Sequence, residues 1–351
     1  MAYLVLGNGR IFEGLRIGAP CDRLGELVFT TGMTGYLETL TDPSFFGQIV
    51  THSFPMIGNA GLIPEDFEGN SALFGYIVRE LCSQPSNFRS RGPLDGWLKA
   101  QGIPGLCGVD TREIVRITRE EGVMNALICD TVPRDMDPIH AFRVKKAVES
   151  VTRREKAVFP AEGKEKRRVA LMDYGAKHNI TRSLQRRGCA VTVWPSFAKA
   201  EEVLREDPDG IVLSNGPGDP RDNPECVREI KAMLGKKPVL GICLGHQLTA
   251  LALGGETVRL KYGHRGGNQP VRDLKSGRAW ITSQNHGYAV LAESLKGIGI
   301  ETFVNANDLS CEGMEYPDLC CATVQFHPEA CPGPQDTAFL FDRFIAMTEE
   351  F

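Results

Sequence analysis

The sequence predicts an α/β protein in two parts, a C-terminal domain built on a parallel sheet preceded by a smaller, mixed, strand-rich N-terminal domain. Three observations predict it. A chain of 351 residues is too long for one ordinary core when a domain takes about 150 residues. After Arg168, short apolar runs alternate with helical patterns, the texture of strands joined by crossover helices. Before about residue 130, glycine and proline interrupt short apolar runs so often that strands joined by long ordered loops are expected. The boundaries read from these changes are 1–130 for the first domain, 131–168 for a linker and 169–351 for the second domain.

In chain order, YLVL and RIF flank Gly7-Asn8-Gly9, turn chemistry suited to a hairpin. TGMTGY, TDPSFFG and FPMIGNAG follow as loop-rich sequence. One helix stands out: Asp110 can cap it, Glu113 stands three residues later, Ile114, Val115 and Ile117 form its apolar stripe, and Gly122 lies past its end. From Thr131 to Arg168 the apolar pattern thins, and the run KEKRR at Lys164 to Arg168, with no interleaved aromatics, reads as a solvated boundary and not a phosphate patch. Then RVALMDY reads as a strand, the segment through Ile180 and Leu184 as a helix, and CAVTVW as a strand. GIVLSNGPGD reads as a strand ending in a glycine loop, and KPVLGIC as another strand. In such sheets ligands bind at the carboxyl ends of strands, which directs attention to the loops after Asp173, Leu213 and Ile242.

Composition excludes more than it assigns. A hydrophobic fraction of 42% and a charged fraction of 24% fit a globular protein, and a net charge of −4 gives no basic field for nucleic acid. The eleven cysteines, irregularly spaced from Cys21 to Cys331 with no CxxC pair, read as reduced thiols without a zinc site. Adjacent Cys320 and Cys321 would point to opposite faces of a strand. No signal-peptide pattern opens the chain and no apolar run approaches the ~20 residues of a membrane span, so a soluble, cytoplasmic protein is expected.

The chemistry centres on KPVLGICLGHQLTALALGG, a strand entering a sharp turn and then a helix from about Gly245 to Leu253. Gly241 and Gly245 flank Cys243 as Gly-x-Cys-x-Gly, a nucleophile elbow with cysteine in place of serine. The turn is expected to present the thiol, unburied, at a helix N-terminus that favours thiolate. An isolated cysteine behind a strand is usually a core residue; the two glycines argue otherwise. In CCATVQFHPEA a strand runs out at His327, because Pro328 keeps it extended and cannot continue a ladder. Glu329, two residues on, can reach the imidazole nitrogen that does not face the thiol. A Cys–His–Glu triad follows, in which the carboxylate fixes the tautomer and stabilises the imidazolium. The backbone N–H of Leu244 comes with the elbow as an oxyanion donor, and Gly216 and Gly218 in SNGPGDP allow a second backbone approach.

Together, SNGPGDP at Ser214 to Pro220, GICLGHQ at Gly241 to Gln247, TSQNHGYAV at Thr282 to Val290 and QFHPEA at Gln325 to Ala330 resemble the class I glutamine amidotransferases. MTGYLETLTDPSFFGQIV at Met33 to Val50 and GVDTREIVRITRE at Gly108 to Glu120 resemble the small, glutaminase subunits of carbamoyl phosphate synthetases, so the resemblance covers essentially the whole chain. It implies that Cys243 forms a γ-glutamyl thioester, with His327 as general acid and base and Glu329 orienting it. It implies glutamine recognition by Ser44, Gly216, Gly218, Leu244, Gln247, Asn285, Gly287 and Tyr288. Ser44 lies in the first domain, so its use would put the substrate at a domain interface. Neutral amide, hydroxyl and backbone groups can satisfy the ammonium and carboxylate of a free amino acid. Two positions depart from the family pattern: Tyr288 where phenylalanine is expected, and Gln269 where histidine is usual. His246 on the elbow helix is a candidate second base, with a structural or interface role as the competing reading, and His264 and His286 are candidates for support behind the site.

The chain has no Walker-type loop and no GxGxxG fingerprint, so it shows no site for activating an acceptor with ATP. The resemblance assigns that step, with ATP and Mg, to a carbamoyl phosphate synthetase large subunit, which would receive ammonia through an enclosed tunnel and serve arginine and pyrimidine synthesis. No cofactor and no metal are expected in this chain. The competing enzyme reading is the amidotransferase subunit of another synthase, such as an anthranilate-type one, which would normally lack residues 1 to about 130. A cysteine peptidase or γ-glutamyl hydrolase predicts activity without a partner. A regulatory scaffold is argued against by the intact Cys243, His327 and Glu329.

Overall fold

The computed structural model describes residues 1–330 and 333–351, so Cys331 lies outside the described residues. The chain divides into two compact units, Met1–Lys145 and Lys146–Phe351.

The first unit is a closed seven-stranded barrel, made of β1 (Ala2–Leu6), β2 (Ile11–Gly18), β3 (Arg23–Thr30), β4 (Gln48–Ile57), β5 (Gly75–Leu81), β6 (Pro104–Cys107) and β7 (Met124–Cys129), in the order β1-β2-β6-β5-β4-β3-β7. β3, β4, β5 and β6 pair in parallel and the other contacts are antiparallel. Closure leaves no open edge to pair with another chain. Leu4, Leu27, Ile49, Ile77, Leu106 and Ile128, one from each of six strands, form one buried cluster, the filled interior expected of so small a barrel. The opening hairpin turns at the expected glycines, with Gly9 at φ +84°. The expected helix is Thr111–Glu121: the Asp110 side chain accepts from Glu113 N, and Gly122 ends it at φ 95°. Its Ile114 and Ile117 join the barrel cluster.

The stretch 131–168, expected as a linker, carries two short helices, Asp137–Ala141 and Ala147–Val151, and a short strand β8 (Ala157–Phe159). Its first helix belongs to the first unit, where Asn125 Nδ2 donates to the carbonyls of Ile139 and Phe142.

The second unit is a ten-stranded mixed sheet. Beyond β8 it contains β9 (Arg167–Asp173), β10 (Cys189–Pro195), β11 (Gly210–Leu213), β12 (Val239–Ile242), β13 (Glu256–Asp273), β14 (Ala279–Leu291), β15 (Ile300–Asn305), β16 (Cys311–Tyr316) and β17 (Cys321–Val324), in the order β14-β13-β15-β16-β17-β12-β11-β9-β10-β8. The middle five, β10, β9, β11, β12 and β17, are parallel, as the sequence predicts. Antiparallel strands extend the sheet at both ends, which the sequence did not announce. Alternate residues of β9 face opposite layers: Ala170 and Met172 pack with Ile230 and Leu248 of the helices Pro224–Met233 and Leu244–Ala252. Val169 and Leu171 pack with Ile180, Leu184, Phe341 and Phe344 of the helices His178–Gln185 and Phe339–Glu350. Each of these buried side chains larger than alanine contributes roughly 1.5–3 kcal/mol. Cys320 is not in a strand; it stands at φ 47° in the turn before β17, so the opposite-face reading of the Cys320–Cys321 pair does not apply. No helix among the described residues is long and apolar enough to cross a membrane.

Candidate active site

β9 leads to β10 on one side and, through it, to β11 on the other, so the order reverses between β9 and β11 and their carboxyl ends open a crevice. The loops after Asp173 and Leu213 are tied across it. Ser214 Oγ accepts from Tyr174 N at 2.9 Å, Asn215 Oδ1 accepts from Lys177 N at 3.1 Å, and Asn215 Nδ2 donates to Gly175 O at 2.9 Å.

Cys243 follows β12 with φ 53° and ψ −102°, a conformation that costs a non-glycine residue about 1–3 kcal/mol. Surrounding contacts enforce it. Cys243 N donates to Val324 O at 2.8 Å and Gly245 N to Ser214 O at 3.0 Å. A Cβ at Gly245 would lie 2.3 Å from Leu213 O, and one at Gly241 2.8 Å from Thr323 Cγ2. Both elbow positions therefore exclude a side chain. A Cβ at Gly216 would meet Tyr174 O at 2.3 Å and Leu244 Cδ2 at 2.7 Å, so the SNGPGD loop packs directly on the residue after the cysteine. Gly218 has φ +88°.

The thiol is not presented to solvent as expected. Cys243 is 2% exposed, shares an apolar cluster with Ile180 and Phe341, and its Sγ donates to Asn285 O at 3.8 Å. Asn285 of β14 covers the thiol from that side.

His327 lies three residues past Val324, the partner of Ile242 in the β12–β17 ladder, so its strand neighbours the elbow strand. Its N–H donates to Ser283 O at 2.9 Å. Nδ1 donates to Glu329 Oε1 at 2.7 Å, while Nε2 is buried without a hydrogen-bond partner among the described residues. Glu329 itself is fully enclosed, with Lys177 Nζ 3.5 Å from Oε1. Burial alone would raise its carboxyl, but His327 and Lys177 outweigh burial and hold it at about 2. Asn179 Nδ2 donates to the Glu329 carbonyl. Lys177 and Asn179 were not anticipated, although DYGAKHN sits at the end of β9, where the strand-end rule points.

Of the other predicted residues, Gln247 uses its amide within the protein: Nε2 donates to Tyr288 O and to Gln325 Oε1, both at 2.9 Å. Asn285, Gly287 and Tyr288 lie on β14. The Tyr288 hydroxyl, absent from the phenylalanine expected there, hydrogen-bonds the Asp219 carboxylate; burial opposes ionisation of Asp219, but Arg221 and this hydroxyl hold its pKa down. Ser44 belongs to the first unit, buried on the 3-10 turn Pro43–Phe45, where its N–H donates to Asp42 Oδ1 at 2.8 Å. Gln269 accepts Thr282 Oγ1–H on its backbone carbonyl at 2.9 Å; nothing in the structure explains its side chain. His246 is held at about 3 by burial and has Nδ1 2.8 Å from Thr323 Oγ1, a core histidine of the elbow helix.

A cysteine elbow beside a carboxylate-bound histidine, on a parallel sheet at its switch point, defines the class I glutamine amidotransferases, and that family's model matches residues 170–347. The model for the carbamoyl-phosphate synthase small chain, CPSase domain, matches residues 4–128. The carbamoyl phosphate synthase small chain of Bacillus caldolyticus is 49% identical over 99% of this chain and 96% of its own length. That of Clostridium perfringens is 50% identical over 98% of each chain. The chain belongs to the carbamoyl phosphate synthase small chain family, the glutamine-hydrolysing subunits of that synthase.

Proposed function

We propose that Cys243 attacks the side-chain amide carbon of glutamine, forming a γ-glutamyl thioester while His327 protonates the departing nitrogen as ammonia. Water, deprotonated by His327, then attacks the thioester to give glutamate and restore the thiol. Glu329 orients the imidazole and stabilises its charged form. The Leu244 N–H and the Gly216–Gly218 loop stabilise the oxyanion. Glutamine is held by Ser44, Gly216, Gly218, Leu244, Gln247, Asn285, Gly287 and Tyr288, an assignment resting on the family resemblance.

The observation that carries the reading is the state of His327: one ring nitrogen committed to a buried carboxylate, the other enclosed and without a partner among the described residues, one strand from a cysteine held in a strained backbone conformation. Ammonia passes to a large chain that uses ATP and Mg to activate bicarbonate and carbamate, enclosed because protonated ammonium is not a nucleophile. The first unit, 1–130 by sequence, contacts that partner, and the product feeds arginine and pyrimidine synthesis in the cytoplasm.

The test is the Cys243→Ser chain reconstituted with the large chain. Glutamine-dependent carbamoyl phosphate formation should vanish while ammonia-dependent formation survives; loss of both would make the residue structural and defeat the proposal.

A further inference from the structure

Behind the Asn285–Tyr288 segment lies a second set of buried ionisable groups that the reaction above does not use. β13 and β14 pair as far as Arg259↔Tyr288 and resume at His264↔His286, so their register breaks opposite Gly287. The ladder therefore leaves an irregularity at Gly287, two residues from the Asn285 carbonyl that accepts from the Cys243 thiol. Side chains supply what the ladder lacks. The Tyr288 carbonyl accepts from Gln247 Nε2 at 2.9 Å and from His286 Nδ1 at 2.7 Å. His286 Nε2, on the other side of the ring, lies 3.2 Å from Gln284 Oε1 and 3.9 Å from Glu312 Oε1. Glu312, 0% exposed on β16, accepts from Asn305 Nδ2 at 3.2 Å and faces His264 Nδ1 at 3.4 Å. His264 Nε2 in turn reaches Asp308 Oδ2 at 2.9 Å, at the surface.

Two carboxyl groups flank the His264 ring, and burial raises that of Glu312. Burial would lower His264, but Glu312 and Asp308 raise it, whereas burial and the neighbouring His264 charge push His286 well down. The two rings stand edge-on, with centroids 4.9 Å apart. We infer that Asp308, His264 and Glu312 form a hydrogen-bonded clamp that, packed against His286, positions the Asn285–Tyr288 backbone for glutamine. Glu312 and His264 are positioning residues that never touch substrate. The inference rests on the amidotransferase reading. Ligand atoms of His264, His286 and Glu312 also lie within 4.8 Å of one another, a spacing a cation could use; because His264 already bridges two carboxylates, a cation would have to displace its proton.

The test uses the full chain purified with its large-chain partner, and reads KM and kcat for glutamine hydrolysis together with metal content. Glu312→Leu should raise KM at least about tenfold with kcat within about threefold, the signature of lost ground-state binding. Glu312→Gln, still able to accept from Asn305 and His264, should stay within about twofold of the wild-type KM, and Asp308→Ala, which removes the acceptor at an exposed site, should raise KM at least about threefold. An unchanged KM in Glu312→Leu, a loss confined to kcat, or Glu312→Gln failing as badly as Glu312→Leu would overturn the clamp. So would a stoichiometric metal in the wild-type protein. If Glu312→Leu does not fold by circular dichroism, Asp308→Ala decides, and an unchanged KM there overturns the clamp. Wild-type protein without any glutamine hydrolysis would instead defeat the amidotransferase reading before a variant is compared.

Discussion

Glu329 is the residue on which the candidate site's charge turns. Its carboxyl, held near 2 against an ordinary 4.5 by His327 and Lys177 in spite of burial, contributes stability that is complete above about pH 4.5 and is lost as pH falls towards 2. Glu329→Gln should therefore flatten acid unfolding across that window, followed by circular dichroism. It should also lower kcat for glutamine hydrolysis by about 10²- to 10⁴-fold, since an amide cannot stabilise the imidazolium. Cys243, His327 and Glu329 were legible in sequence because elbow glycines and a His-Pro-Glu strand end are local patterns. The burial of the thiol was not, because the cover comes from β14, more than forty residues away in the chain. Lys177 and Glu312 were likewise invisible as buried charges, since one sequence does not reveal what surrounds a lysine or a glutamate.

Elements with strong local signals were read correctly and those built by long-range pairing were not. The Thr111–Glu121 helix was legible from its cap and stripe; Asp110→Ala should cost about 1 kcal/mol, measured as a shift in urea midpoint. The parallel strands β9 to β12 were legible as apolar runs. The antiparallel extension was not, because β13 and β14 break register twice and so lack a clean alternation. The short helices of 131–168 were hidden by charge. At the elbow, Gly245→Ala would place a Cβ 2.3 Å from the Leu213 carbonyl and should cost about 3 kcal/mol, the upper end for overpacking, again read from the urea midpoint.

Across the molecule, each unit buries a neutral histidine. His52, buried on β4 with its ring nitrogens on Tyr76 OH and Gly32 O, is held at about 4 by burial, and His246 in the second unit at about 3. Both take up a proton more readily when unfolded, so stability should be full above about pH 6.5 and decline as pH falls towards 4. Urea midpoints at pH 7 and pH 5 should differ, and His52→Gln should shrink the difference without abolishing it, because His246 remains. A midpoint independent of pH over that range would contradict the burial of both rings.

The twisted backbone of Cys243 has one more consequence. Replacing it with glycine would relax the turn while removing the sulfur, so a laboratory search for heat-resistant variants that ignored glutamine turnover would tend to enrich inert chains. Durability and reactivity pull in opposite directions at this single position, and any programme of directed evolution here needs a readout for both.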